Sequence, residues 1–298
     1  MKIDKKISVG ILTYMRVDDI RNTISDLLSS NVDNIELIIV DNNQKSMKYD
    51  IFLNLNIPRS WSVIYDHDGI NKGVAGGRNR IIELASSDNV IFLDDDVQID
   101  DFQSIIDSCN TELNGNVGIL AFKILDIKTN TINKYEFPHK NKELMDCNKA
   151  FYTYYFVGAG HAISKKCLSS IGGYRYDLGL YGMEEVDLSY RAISNNYAIK
   201  YIPDIKIIHK RSPDGRFSNK TTMYNAFNNK IQIAARHLKF RYFVSHLFAW
   251  SFQYIRKTKS IDGVFFVLKN AVKARFSNDR FERNFYDYCC SVKAWLWW

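Results

Sequence analysis

Of the 298 residues, 46% are hydrophobic and 24% charged, with only 4 prolines and 15 glycines. Such a chain can bury a core and is neither disordered nor collagen-like nor of low complexity. Forty Lys and Arg against 33 Asp and Glu leave a net charge of +7, which favours anionic partners (phosphates, nucleic acid or acidic lipid headgroups) without choosing among them.

Residues 7–13 read as a buried strand; the run is too short, and too soon followed by Tyr14 and Arg16, to be a secretory signal. A helix is expected over 18–29, where Ile20, Ile24, Leu27 and Leu28 share a face, then strands over 35–40 and 61–65. Glycines open a helix over 75–86, and a fourth strand over 89–93 runs into Asp94, Asp95 and Asp96. Further strands are expected over 117–124 and 198–202 with a helix over 185–194 between them, and residues 205–208 are strand-like and lead to His209. These β-branched runs predict a mostly parallel sheet covered on both faces. Beyond His209 the texture turns basic and aromatic with helical spacing over 224–238, 240–255 and 264–276, which places a boundary between a domain of residues 1–212 and an extension of 213–298. The richest apolar stretch, residues 243–255, contains Ser245, His246, Ser251 and Gln253 and is too short for a membrane span. The expectation is a cytoplasmic protein, free or held at a surface. Its five cysteines include no CxxC pair and read as reduced thiols.

Ligands of open α/β sheets gather at the carboxyl ends of strands. Here those ends carry Thr13, Tyr14 and Arg16, then Asp41, then the three aspartates. Neither GxGxxG nor a P-loop follows the first strand, so a bound diphosphate needs another source of positive charge. Carboxylates after a buried strand can supply it through a divalent metal. Asp94 and Asp96 should face one way and Asp95 the other, as a DxD motif; a solvated acidic turn or a helix cap is the plainer alternative. The segment Asn71 to Asn79 adds glycines and Arg78 at a helix start. Glu184, Glu185 and Asp187 open a later helix, where the macrodipole alone would favour acids, and a lone His209 is by itself as readily structural.

In order and spacing, T-Y-x-R, D-N-N, N-x-G-x-x-G-G-R-N, F-L-D-D-D, G-G-Y, G-x-E-E-V-D-L-x-x-R-A and I-I-H together resemble the inverting family 2 glycosyltransferases, over about residues 6–212. The resemblance implies a GT-A type α/β fold, Rossmann-like, with a mostly parallel sheet flanked by helices and a C-terminal helical extension. It puts Thr13, Arg16 and Asp41 around the nucleoside, Arg78 near the pyrophosphate, and Asp94 toward the ribose with Asp95 intervening, and counts Tyr14 and Asn71 among the donor-binding residues. Asp96 and His209 would ligate Mn²⁺ or Mg²⁺. The catalytic base falls on Glu185, where the family usually has aspartate; Glu184 and Asp187 are the other candidates, Asp187 with a structural or acceptor-contact role. The donor would be a nucleoside-diphosphate sugar, most commonly a UDP-sugar, and the acceptor a glycan or lipid-linked oligosaccharide of bacterial surface polysaccharide synthesis. A metal-dependent phosphohydrolase is disfavoured by Gln98 and the late position of the motif, a nucleotidyltransferase lacks its glycine-rich signature, and a catalytically silent subunit of the same fold is the remaining alternative.

In the extension, Arg236, Lys239, Arg241, Arg256, Lys257 and Lys259 bracket an aromatic segment, and the chain ends Trp295-Leu296-Trp297-Trp298. This pattern suits peripheral binding to an anionic membrane surface, at the inner face of the cell membrane. Packing on the catalytic domain or on a second subunit is the alternative. Nucleic acid is not expected, since no fold motif supports it.

Overall fold

The computed structural model describes residues 6–277 and 279–297; the first five residues and Trp298 lie outside the described residues. The first half alternates strand and helix: β1 (Ile7–Thr13), α1 (Val17–Ser29), β2 (Ile35–Asp41), α2 (Lys48–Phe52), β3 (Ser62–Asp66), α3 (Gly73–Leu84) and β4 (Asn89–Asp94). Then come β5 (Val97–Ile99), α4 (Phe102–Glu112), β6 (Val117–Asp126), β7 (Phe151–Thr153), β8 (Gly160–Ser164), α5 (Lys165–Ile171), α6 (Glu184–Ser194) and β9 (Ala198–His209). Four helices follow: α7 (Asn219–His237), α8 (Phe240–Thr258), α9 (Asp262–Arg275) and α10 (Arg283–Ser291).

One sheet runs in the order β3-β2-β1-β4-β8-β6-β9-β5, with β7 also on β9. The parallel expectation holds for β1 to β4 and for β6 with β9. Between β4 and β6 lies β8, antiparallel to both, and β5 and β7 join β9 antiparallel, so the sheet is mixed. The two strand-like runs at 198–202 and 205–208 belong to one strand: Phe122 pairs with Ile202 but Lys123 with Lys206, so the chain bulges at Pro203, which has no N–H for the ladder.

Successive residues of β2 go to opposite faces. Leu37 and Ile39 join a core with Val9, Ile11 and Ile91, while Ile38 and Val40 join one with Val90, Phe92 and Ala121. Each such side chain, fully buried, contributes on the order of 1.5–3 kcal/mol. Helix α3 lies close on β1, and a Cβ at Gly77 would collide with Leu12. The C-terminal helices share this core: Ile233 and Ala234 of α7 and Phe285 and Cys289 of α10 pack in the same cluster as Phe92. A smaller core joins α7, α8 and α9 through Phe227, Ile231, Tyr254 and Val267. Among the described residues no helix is long and apolar enough to cross a membrane.

Register sets the site. Thr13 lies opposite Asp41 and Leu12 opposite Asp94, so three strands end together. Immediately after the aspartates, β5 pairs with the end of β9, Val97 opposite His209, which carries the histidine to the motif across more than a hundred residues.

Candidate active site and metal centre

One oxygen each of Asp94 and Asp96 and one ring nitrogen of His209 lie within 4.8 Å of one another. Asp96 is fully buried. Its Oδ2 accepts the Ser212 amide at 2.8 Å, while its buried Oδ1 has no hydrogen-bond partner and faces His209 Nε2 at 3.2 Å. On the other side of the ring, His209 Nδ1 is 2.6 Å from Glu136 Oε1. Burial pushes the Asp96 carboxyl up, but the nearby His209 and the charge of Arg16 outweigh it and hold the group at about 2. Burial likewise disfavours the His209 imidazolium, yet Asp96 and Glu136 raise it to about 10. Two carboxylates, an imidazole nitrogen and an orphaned buried oxygen fit a divalent cation, and a carboxylate behind the histidine fixes its tautomer as metal sites commonly require.

Asp95 does turn the other way. Its Oδ2 accepts from Thr13 Oγ1 at 2.7 Å and its Oδ1 from Arg16 Nη1 at 2.8 Å, and burial drives its carboxyl up to about 7. Arg16 also lies 3.3 Å from Asp96 Oδ2 and donates from Nε to the Asp214 carbonyl at 2.8 Å. Thr13 and Arg16 therefore brace the aspartate turn, a use of their side chains that the nucleoside-contact expectation did not include. The reason is electrostatic: adjacent buried carboxylates require a cation and donors beside them. Asp41 is similarly engaged. Its Oδ1 accepts the Asn43 amide at 2.9 Å, its Oδ2 the Met47 amide at 3.0 Å, and Tyr65 Oη donates to the same Oδ2. Tyr14 is half-buried, with its backbone oxygen closely faced by Gly215. Asn71 is exposed and accepts the Gly73 amide through Oδ1 at 2.9 Å, shaping the entry to α3.

The acidic end of α6 meets the aspartates through Arg78. That buried guanidinium donates from Nη1 to Glu185 Oε1 at 2.6 Å, and from Nη2 to Asp94 Oδ1 at 3.3 Å and the Gly158 carbonyl at 3.1 Å. It also lies over the Tyr174 ring, 5.6 Å from the centroid. A Cβ at Gly158 would strike Glu185 Oε1 and sit 2.7 Å from Arg78 Nη2, so a larger residue there would displace this ion pair.

The three acids of α6 divide by environment. Glu185 is half-buried. Glu184 is buried, and burial followed by repulsion from Glu185 holds its carboxyl well above the ordinary carboxylate range. Asp187 is fully buried, bound by Arg191 Nε at 2.7 Å and 3.3 Å from His237 Nε2. Burial opposes its charge, but His237 and Arg191 prevail and hold it at about 2. This pairing ties α6 to α7 and agrees with the structural alternative expected for Asp187.

The sequence reading did not single out Glu136 or Gly158. Glu136 is an isolated acid between β6 and β7, also held by Arg211 Nε at 3.2 Å. No local pattern marks it, because its partner is 73 residues away. Gly158, in a segment without a helix or strand pattern, carried no local signal either.

Residues 8–172, more than half of the chain, match the family model described as glycosyl transferase family 2. That span takes in the three aspartates and ends before Glu185 and His209. A protein of Haemophilus influenzae, described as an uncharacterized protein, is 38% identical over 169 residues, which cover 56% of this chain and 91% of that one. Among solved structures, GalNAc-T7 with UDP, GalNAc and Mn²⁺ has a TM-score of 0.62 at 12% identity; 93% of this chain is covered but only 59% of that one. The mannosyltransferase PcManGT from Pyrobaculum calidifontis, in complex with GDP-Man and Mn²⁺, has a TM-score of 0.60 at 13% identity, covering 98% of this chain and 85% of that one. S. aureus TarS in complex with UDP-GlcNAc also scores 0.60, at 15% identity, with 90% and 81% covered. At these identities the likeness is one of fold.

Proposed function

We propose that this chain, which belongs to glycosyl transferase family 2 and is a glycosyltransferase of the GT-A fold, transfers a sugar from a nucleoside-diphosphate sugar to a hydroxyl of a glycan or lipid-linked oligosaccharide, with inversion. The observation that carries this reading is the Arg78 bridge: one guanidinium joins Glu185 to Asp94, so a carboxylate base and the metal-binding strand end stand on two sides of the same cation. Asp94, Asp96 and His209 would hold Mn²⁺ or Mg²⁺, which when bound supplies positive charge against the charge developing on the leaving diphosphate.

The rest is done by the chain itself. Glu185 takes the proton of the acceptor hydroxyl as that oxygen bonds to the anomeric carbon. The bond from that carbon to the diphosphate oxygen breaks, its electron pair leaves with the nucleoside diphosphate, and the configuration inverts. Arg78 orients Glu185, Thr13 and Arg16 brace the aspartate turn, and Asp41 shapes the loop after β2 beside the nucleoside. A uridine nucleotide is the preferred donor: UDP and UDP-GlcNAc occur with two of the structural relatives, and GDP-Man with the third. Surface polysaccharide synthesis at the cytoplasmic face of a bacterial membrane is the setting that a lipid-linked acceptor and a bacterial relative support.

Glu185→Gln tests the base. It should keep donor affinity by calorimetry while transfer drops by about 10² to 10⁴; turnover at the wild-type rate would remove Glu185 from the mechanism. Asp96→Ala should abolish the metal dependence of nucleotide binding, and unchanged affinity would count against the metal assignment.

A further inference from the structure

Helices α8 and α9 bury one side and leave large apolar side chains on the other. On α8 the buried side includes His246 and Tyr254, and on α9 Gly263, Val267, Ala271 and Ala274. Outward, Phe248 and Phe252 of α8 are 73% and 71% exposed, and Phe265 and Phe266 of α9 are 68% and 64% exposed. Spacing makes these stripes rather than isolated residues. Phe248, Phe252 and Ile255 recur at i, i+4 and i+7, and Phe265, Leu268 and Val272 at i, i+3 and i+7. Solvated helix faces do not ordinarily carry such rows.

The charge of the same segment is equally one-sided. Residues 240–277 hold seven Lys and Arg against the single acid Asp262, so six of the seven net positive charges of the chain fall in these 38 residues. Lys257, Lys259, Lys269 and Lys273 are exposed, and Lys269 and Lys273 adjoin the α9 stripe. Apolar rings flanked by cations match a bilayer interface, where rings enter the acyl boundary while lysines reach the headgroups. They do not match a second copy of this chain, because a two-fold contact would set this cationic patch against itself.

We infer that the outward face of α8 and α9 docks on an anionic lipid bilayer. This surface lies outside the Asp94, Glu185 and His209 cleft, and its test does not depend on the transfer reaction.

The full chain is sedimented with vesicles of phosphatidylcholine alone or with about one-third phosphatidylglycerol, at low and high salt. Binding should require phosphatidylglycerol and weaken with salt. Lys269→Glu with Lys273→Glu should weaken it by about thirtyfold or more, taking about fivefold for each cation lost. Phe252→Ser with Phe265→Ser should weaken binding at unchanged charge. These four side chains are exposed, so unchanged circular dichroism is expected and verifies the fold of each variant. Equal binding to neutral vesicles, no binding to either kind, or wild-type binding by both folded variants would overturn the inference. So would concentration-dependent dimerisation in ultracentrifugation that the phenylalanine pair abolishes without vesicle binding.

Discussion

The cleft at the strand ends and the outer face of α8 and α9 treat charge in opposite ways. In the cleft, Arg16 faces Asp95 and Asp96, Arg78 faces Asp94 and Glu185, and His209 stands between Asp96 and Glu136. Buried charges survive only with such partners, and the arrangement fixes side chains where chemistry requires them. On α8 and α9 the cations have one acid among them and lie beside exposed rings. In the membrane proposal, that face has its partner outside the chain. Charge is buried and paired in the cleft, and exposed beside aromatic rings on the outer face.

The contrast can be broken at several points. The largest effect is expected at Glu185, where the glutamine variant should lose about 10² to 10⁴ in transfer. Next is the anchor of α6: Asp187→Asn leaves Arg191 without its charge partner and should cost about 3–5 kcal/mol in denaturant unfolding. The same group predicts a pH dependence. Its folded value of about 2 lies below the unfolded 3.8, so its contribution is present above the unfolded value and is lost as pH falls through the folded one. The chain should lose about 2 kcal/mol from this group between pH 5 and 2, and Asp187→Asn should flatten that loss in thermal scans. Behind the histidine, Glu136→Gln should weaken Mn²⁺ affinity about 10- to 100-fold by calorimetry. Unaltered affinity would make Glu136 a fold contact alone. At the small end, Phe266→Ser on the outer face should change unfolding free energy by less than about 0.5 kcal/mol, whereas a larger loss would show that this ring is packed.

The sequence made the alternating half of the fold legible because its strands are β-branched runs that end in polar residues, as β1, β2 and β4 do. Helix α4 was missed although its signals are local: Asp101 caps it through the Ser104 amide, and Phe102, Ile105, Ile106 and Cys109 form its buried stripe. The antiparallel β8 is a five-residue strand whose neighbours β4 and β6 are distant in the chain, so pairing rather than propensity defines it. At the site, the grouping of Asp94 and Asp96 apart from Asp95 followed from side-chain alternation, and His209 from its place after a strand. The contacts of Arg16 to Asp95 and Asp96 carry no local signal, because they depend on how far the aspartate turn is buried. Glu136 and Gly158 act only through contacts across long stretches of sequence.

The most direct test of the central claim is nucleoside diphosphate release from a panel of sugar nucleotides, with Mn²⁺ or with chelator, in the presence and absence of a glycolipid acceptor extract. Release from one donor that requires the metal, rises with acceptor and falls by at least about 10² in Glu185→Gln is the result expected. Release unaffected by chelator and by Glu185→Gln, or inorganic phosphate released from unrelated phosphoesters without donor preference, would contradict it.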